Sequence, residues 1–154
     1  MDIENLRKFL LEAANKGYAL GESAFKKGPD DSYIIEYESG NFRFHDNWFG
    51  GEPFGGREVV FYKEKAEWIM VYYGADSGKA DGLIQVLRKA LANPPKELPV
   101  RGPKTLVGGG FRYVNKWQGN LEKFKGEEVI YYKNEEVYTA TYVGGFIDQR
   151  GDQL

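Results

Sequence analysis

The chain has 154 residues, with 21 Lys or Arg against 23 Asp or Glu, and its formal net charge of −2 argues against a dominant phosphate-neutralising surface for nucleic acid. It contains no cysteine, which excludes a disulfide framework, a thiolate zinc site and a cysteine nucleophile. A chain of this length buries about 70% of the surface its unfolded form exposes, enough for a core of its own.

The first predicted element is a helix over residues 2–16. Leu6, Phe9, Leu10 and Ala13 fall on one face at the i, i+3, i+4, i+7 spacing, Asp2 is placed to cap it and Gly17 to stop it. The stretch is charged from its second residue and lacks the apolar core of a signal peptide. No apolar run approaches the ~20 residues of a membrane span. A cytoplasmic protein without a membrane partner is the expectation.

Strands are predicted at residues 32–38, 41–48, 57–63 and 67–73, with Ser39 and Gly40 as a tight hairpin turn. The loop from Gly74 to Ala80 follows a strand and precedes a helix, the context of a phosphate-binding loop. It is one residue short of that motif, and Ala80 stands where Ser or Thr would bind magnesium. A capped connection is the plainer reading. A second amphipathic helix is predicted over 80–92, with Leu83, Val86, Leu87 and Ala90 on one face. Ser77 and Asp81 are its candidate caps, and Pro94 and Pro95 end it. Further strands follow at 110–117, 127–133 and 136–142, with a weaker one before Gly108.

The chain nearly repeats itself. WFGGEPFGGREVVFYK at 48–63 aligns with WQGNLEKFKGEEVIYYK at 117–133, matching Trp48 with Trp117, Gly56 with Gly126 and Glu58 with Glu128. The expected fold class is therefore α+β: a tandem internal duplication in which each unit is one helix followed by an antiparallel three- to four-stranded meander. Residues 1–78 would form the first unit and 79–147 the second. They would lie within a single compact domain over 1–154 that ends in a short tail at 148–154.

Alternation along a strand sorts the candidate residues. Phe42, Phe44, Asp46 and Trp48 share one face, which reads as core; Arg43, His45 and Asn47 share the other. WIMVYY at 68–73 is apolar on both faces, the mark of a central strand covered on both sides or of a strand with one face on a pocket. His45, the one histidine, could be a general base or a plain surface residue. Trp48, Tyr72, Tyr73 and Trp117 could stack a flat ligand or simply be scaffold. Positions that differ between the copies, such as His45 against Val114, Asp46 against Asn115 and Tyr73 against Val143, are the better ligand candidates. Arg101 in LPVRGP could lie near the junction of the halves. Glu58 and Glu128 would make an acid/base pair if they met across a pseudo-axis, and otherwise would satisfy local donors or pair with a basic neighbour.

WFGGEPFGGREVVFYK, the following EWIMVYYG, the later PVRGP and the closing VYTATYVGGFI resemble the prokaryotic DUF5680 family, a domain of unknown function, over nearly the whole chain. The resemblance brings no established reaction, cofactor or catalytic residue. It implies a sensory or interaction module, because members sometimes carry an attached helix-turn-helix DNA-binding domain. Val71 and Val143 stand where the family pattern has Asn and His.

Together these observations point to a non-enzymatic module that binds a small molecule or a protein partner in a pocket between the two repeats. Its ligand-binding candidates are His45, Asp46, Trp48, Tyr72, Tyr73, Arg101 and Trp117. The alternative is a small carboxylate-dependent hydrolase or lyase using Glu58 with Glu128. No cofactor and no metal site is expected, and a homodimer through an apolar sheet face is a further expectation.

Overall fold

The computed structural model describes residues 1–18 and 25–148. Helix α1 runs Ile3–Gly17, and the Asp2 side chain caps it by accepting the Asn5 amide at 2.9 Å. Its stripe of Leu6, Phe9, Leu10, Ala13 and Ala14 is buried. Gly17 ends the helix against Ile35, whose Cγ2 would lie 3.0 Å from an added Cβ.

Strands β1 (Lys26–Lys27), β2 (Tyr33–Ser39), β3 (Phe42–Phe49), β4 (Phe54–Tyr62) and β5 (Lys65–Asp76) follow α1. Then come helix α2 (Leu83–Leu91) and strands β6 (Thr105–Gly108), β7 (Phe111–Asn120), β8 (Lys123–Tyr132) and β9 (Glu135–Phe146). Helix α2 starts later than its periodicity suggests. Gly82, its N-cap, sits in the left-handed region at φ 86°, and the Ser77 amide is drawn off to the Val137 carbonyl. Since β5 runs on through Asp76, no helix opens at Gly78-Lys79 and the phosphate-loop geometry does not form.

The expected tandem duplication of helix-plus-meander units is corrected by the sheet. All the strands join one nine-stranded antiparallel sheet in the order β1-β2-β3-β4-β5-β9-β8-β7-β6. Only α1, of 15 residues, and α2, of 9, are α-helical among the described residues. The fold is mainly β, not α+β. The strands meet edge to edge at its centre, where β5 pairs with β9 from Trp68↔Phe146 to Asp76↔Tyr138. The physical reason is that β5 offers an unpaired edge of 12 residues, and β9, of the same length, satisfies its backbone groups.

One sheet face carries the core. Leu6, Phe9 and Leu10 of α1 pack on Phe44, Val60, Trp68 and Met70; Leu83, Leu87 and Leu91 of α2 pack on Phe111, Tyr113, Ile130 and Tyr138. Between the helices, residues 92–104 cross the same face and bury Leu98, Val100 and Arg101. The opposite face has no element packed on it among the described residues, and Val71, Tyr73 and Val143 are exposed there. The two apolar faces of WIMVYY thus have different causes: Trp68, Met70 and Tyr72 are core, while Val71 and Tyr73 face outward. No helix among the described residues is long and apolar enough to cross a membrane.

Candidate functional site

The inner sheet face is apolar except for a group of buried polar side chains near its middle. Asp46 on β3 and Glu58 on β4 are cross-strand neighbours, 2% and 5% exposed. Tyr72 on β5 reaches Asp46 because its ring lies over Gly56, where a Cβ would come within 2.6 Å of the Tyr72 hydroxyl. That hydroxyl donates to Asp46 Oδ1 at 2.6 Å. Tyr18, at the end of α1, sets its hydroxyl 2.8 Å from Asp46 Oδ2 and 2.8 Å from Glu58 Oε1. A hydroxyl has one proton to give, so both contacts are hydrogen bonds only when one carboxyl is protonated.

Electrostatics say which. Burial pushes Asp46 up to about 6, against the hydrogen bonds from Tyr72 and Tyr18. Burial, and then the Asp46 charge, push Glu58 up to about 8. Near neutral pH, protonated Glu58 therefore donates to Tyr18, and Tyr18 donates to ionised Asp46. Burial likewise raises Tyr18 and Tyr72 well above the usual phenol value, so both remain donors.

A second cluster adjoins the first. Arg101 lies in the crossing segment with a left-handed backbone, φ 55°, and is 5% exposed. Its Nε and Nη2 both donate to Glu128 Oε1 on β8. Tyr138 donates to the same oxygen at 2.7 Å, and Tyr113 donates to Oε2. Burial works against the Arg101 charge, but the Glu128 carboxylate outweighs it and holds the guanidinium well above its usual range. The guanidinium carbon also sits 5.0 Å from the centre of the Tyr72 ring, which links the clusters. Beyond them, Tyr142 lies over Gly126 and donates to Asn115 Oδ1 at 2.7 Å.

A cavity of about 570 Å³ opens over this polar floor. Its walls are Leu83, Leu87 and Leu91 of α2 and the aromatic rings of Phe25, Tyr33, Trp48 and Phe54; Asp46, Tyr72, Arg101, Tyr138 and Tyr18 form the base. Tyr33 stacks on Trp48 at 5.6 Å, and Phe25 meets Trp48 edge-on at 5.1 Å.

Of the residues singled out in the sequence, Asp46, Trp48, Tyr72 and Arg101 meet in this cavity. His45 points to the other face, with Nδ1 3.2 Å from Glu36 Oε1. Tyr73 is 60% exposed on that outer face. Trp117 packs at the edge of the α1 core under Lys104, whose Nζ is 5.3 Å from the ring centre. Glu58 and Glu128 do not pair: β5 and β9 stand between their strands, about 14 Å of sheet at ~4.8 Å per strand. Glu58 shares Tyr18 with Asp46, and Glu128 holds Arg101. Tyr18, Phe25 and Tyr138 are site residues that alternation and repeats did not bring forward. Tyr18 carried only the weak signal of an aromatic directly after a helix-ending Gly17. Among the described residues, no three His, Asp or Glu side chains converge as metal ligands.

The chain belongs to the DUF5680 family: the family model, a domain of unknown function, matches residues 46–147, well over half of the sequence. No curated protein matches it. No solved structure matches it either.

The raised carboxyls predict a pH dependence. Between the ordinary glutamate value of 4.5 and about 8, the folded state holds a proton on Glu58 that the unfolded chain has released. This contribution to stability is complete below 4.5 and is lost as pH rises through about 8. Glu58→Gln keeps the protonated shape without the titration. Its melting temperature should match the wild type near pH 5 and exceed it at pH 8.5. Parallel curves for the two proteins from pH 5 to 8.5 would show that Glu58 is not held protonated.

Proposed function

We propose that this chain is a small-molecule binding protein whose ligand occupies the cavity between α2 and the inner face of the sheet. The supporting observation is the cavity: about 570 Å³, with apolar walls and a few convergent polar groups at its base. Ligand sites commonly enclose about 300–1,000 Å³ with this division between apolar wall and polar anchor. Trp48 is the one tryptophan among the lining residues, so its emission reports occupancy.

The test uses the neutral dye N-phenyl-1-naphthylamine. Saturable one-to-one binding that changes Trp48 emission is expected. Ile84→Trp, which narrows the cavity mouth, should weaken it about tenfold, the loss of about 1.4 kcal/mol. Val71→Asp on the outer face should leave it unchanged. Binding lost in the outer-face variant and kept in Ile84→Trp would move the site out of the cavity and end this reading.

A second reading, a carboxylate-dependent hydrolase or lyase, draws on Asp46 and Glu58. They share Tyr18 and hold their protons to different pH, as acid–base pairs in enzymes do. It ranks second because Glu58 does not line the cavity, so the two carboxyls do not face a common substrate there.

A further inference from the structure

We propose that the ligand of this cavity is an organic cation, a protonated amine or quaternary ammonium on an aromatic or aliphatic body, held by the Asp46 carboxylate and the surrounding ring faces. This rests on the binding-cavity reading and narrows it to one class of ligand.

The charges near the cavity floor do not balance. Among the described residues, Asp46, Glu58 and Glu128 are buried there with one buried cation, Arg101. Glu128 takes that cation through two of its nitrogens. Glu58 keeps its proton near neutral pH and does not line the cavity. Asp46 does line it, and among the described residues its contacts are the hydroxyls of Tyr18 and Tyr72, with no Lys, Arg or His bonded to it. A buried carboxylate without a contacting counter-charge is rare, because desolvation of an unpaired charge is so costly. In solution the missing partner would be something that enters the cavity.

The walls suit the same ligand. Faces of aromatic rings attract cations, tryptophan most strongly. Two guanidinium groups already use rings of this cavity: Arg88 lies 5.2 Å from the Phe25 centre and Arg101 5.0 Å from the Tyr72 centre. Trp48 and Phe54 have no guanidinium or ammonium group stacked on them among the described residues. The lining also carries Arg88 and Glu52, one charge of each sign, so it sets up no net repulsion against a cation.

The test compares three probes that share one ring system: 1-naphthylmethylammonium, 1-naphthalenemethanol and 1-naphthoate, titrated calorimetrically at pH 7.5 into the intact protein. The ammonium should bind about tenfold or more tighter than the alcohol, as expected for a desolvated charge contact, and the naphthoate weakest. Asp46→Asn should bring the ammonium down to the level of the alcohol and leave the alcohol unchanged.

Affinity for the ammonium should also rise with pH as Asp46 ionises through about 6. The groups facing Asp46 in that titration are Tyr18 from α1, Glu58 from β4, Tyr72 from β5 and Arg101 from the crossing segment, with His45 across the sheet. If Asp46→Asn does not fold, the wild-type ranking and this pH slope decide alone.

Equal affinity for ammonium and alcohol would overturn the cation and leave the binding cavity standing. Tightest binding of naphthoate would assign the cavity to anions through Arg101 and overturn the proposal. Failure of all three, with N-phenyl-1-naphthylamine still bound, would overturn it alone. If that dye fails as well, the cavity reading falls with it.

Discussion

Glu128→Ala is expected to destabilise the protein by about 3–5 kcal/mol, the usual consequence of leaving one member of a buried ion pair without its partner. For a domain of this size that is a fall in Tm on the order of 10 °C. Glu128 is 0% exposed and accepts from Arg101, Tyr138 and Tyr113. Its removal strands a buried guanidinium without its bonded carboxylate, and it leaves two phenol hydroxyls without acceptors. The double variant Glu128→Leu with Arg101→Met removes both charges and should recover much of the loss, because uncharged side chains of similar volume can replace a buried pair at little cost. Chemical denaturation of the wild type, the single and the double variant measures this. A single-variant loss below about 1 kcal/mol would put the pair in the class of surface ion pairs and remove the account of why Arg101 is held where it is.

Trp68→Ala should cost about 3–5 kcal/mol, as for large-to-small changes at fully buried aromatics. The side chain is 0% exposed, stacks on Phe124 at 5.6 Å, and donates its indole proton to the Leu121 carbonyl at 3.0 Å. It therefore ties the central strand β5 to the turn between β7 and β8. Trp68→Phe keeps most of the apolar surface but orphans the Leu121 carbonyl, so it should cost less, about 1–3 kcal/mol. Urea melts with an unchanged slope would assign both losses to the folded state. Equal losses in the two variants would mean that the hydrogen bond, not the packing, carries the effect.

Much of the strand pattern was legible, because period-two alternation is written in large residues. Phe44 and Asp46 on the core face against Arg43 and His45 on the other were read correctly, which separates Asp46, in the cavity, from His45, outside it; Asn47, on the Arg43 face, is buried instead and accepts from Arg57. Alternation gives a residue its face but not its strand a neighbour. The β5–β9 pairing joins segments some seventy residues apart, as in Val71↔Val143, and no local pattern encodes such a partner. The duplicated motif pulled the reading toward two helix-plus-meander units, when the long strands instead share one nine-stranded sheet. Glu58 and Glu128 were matched by that motif, yet each found a different partner, Tyr18 and Arg101. Tyr18 escaped notice because a helix-terminal residue belongs to neither periodicity. Gly56 and Gly126, matched in the repeat, are seats for the rings of Tyr72 and Tyr142.

The position of β9 bears on how the molecule is made. A chain emerging from the ribosome delivers β1 to β5 first, and β5 must then wait, with one edge bare, until Glu135–Phe146 has been synthesised. The last long strand closes the middle of the sheet, not its rim. Nascent chains stalled before residue 135 would therefore display the unpaired backbone edge of a 12-residue strand, the kind of surface that recruits chaperones or other unfinished chains. Completion of synthesis, rather than any local folding step, is the event that conceals it.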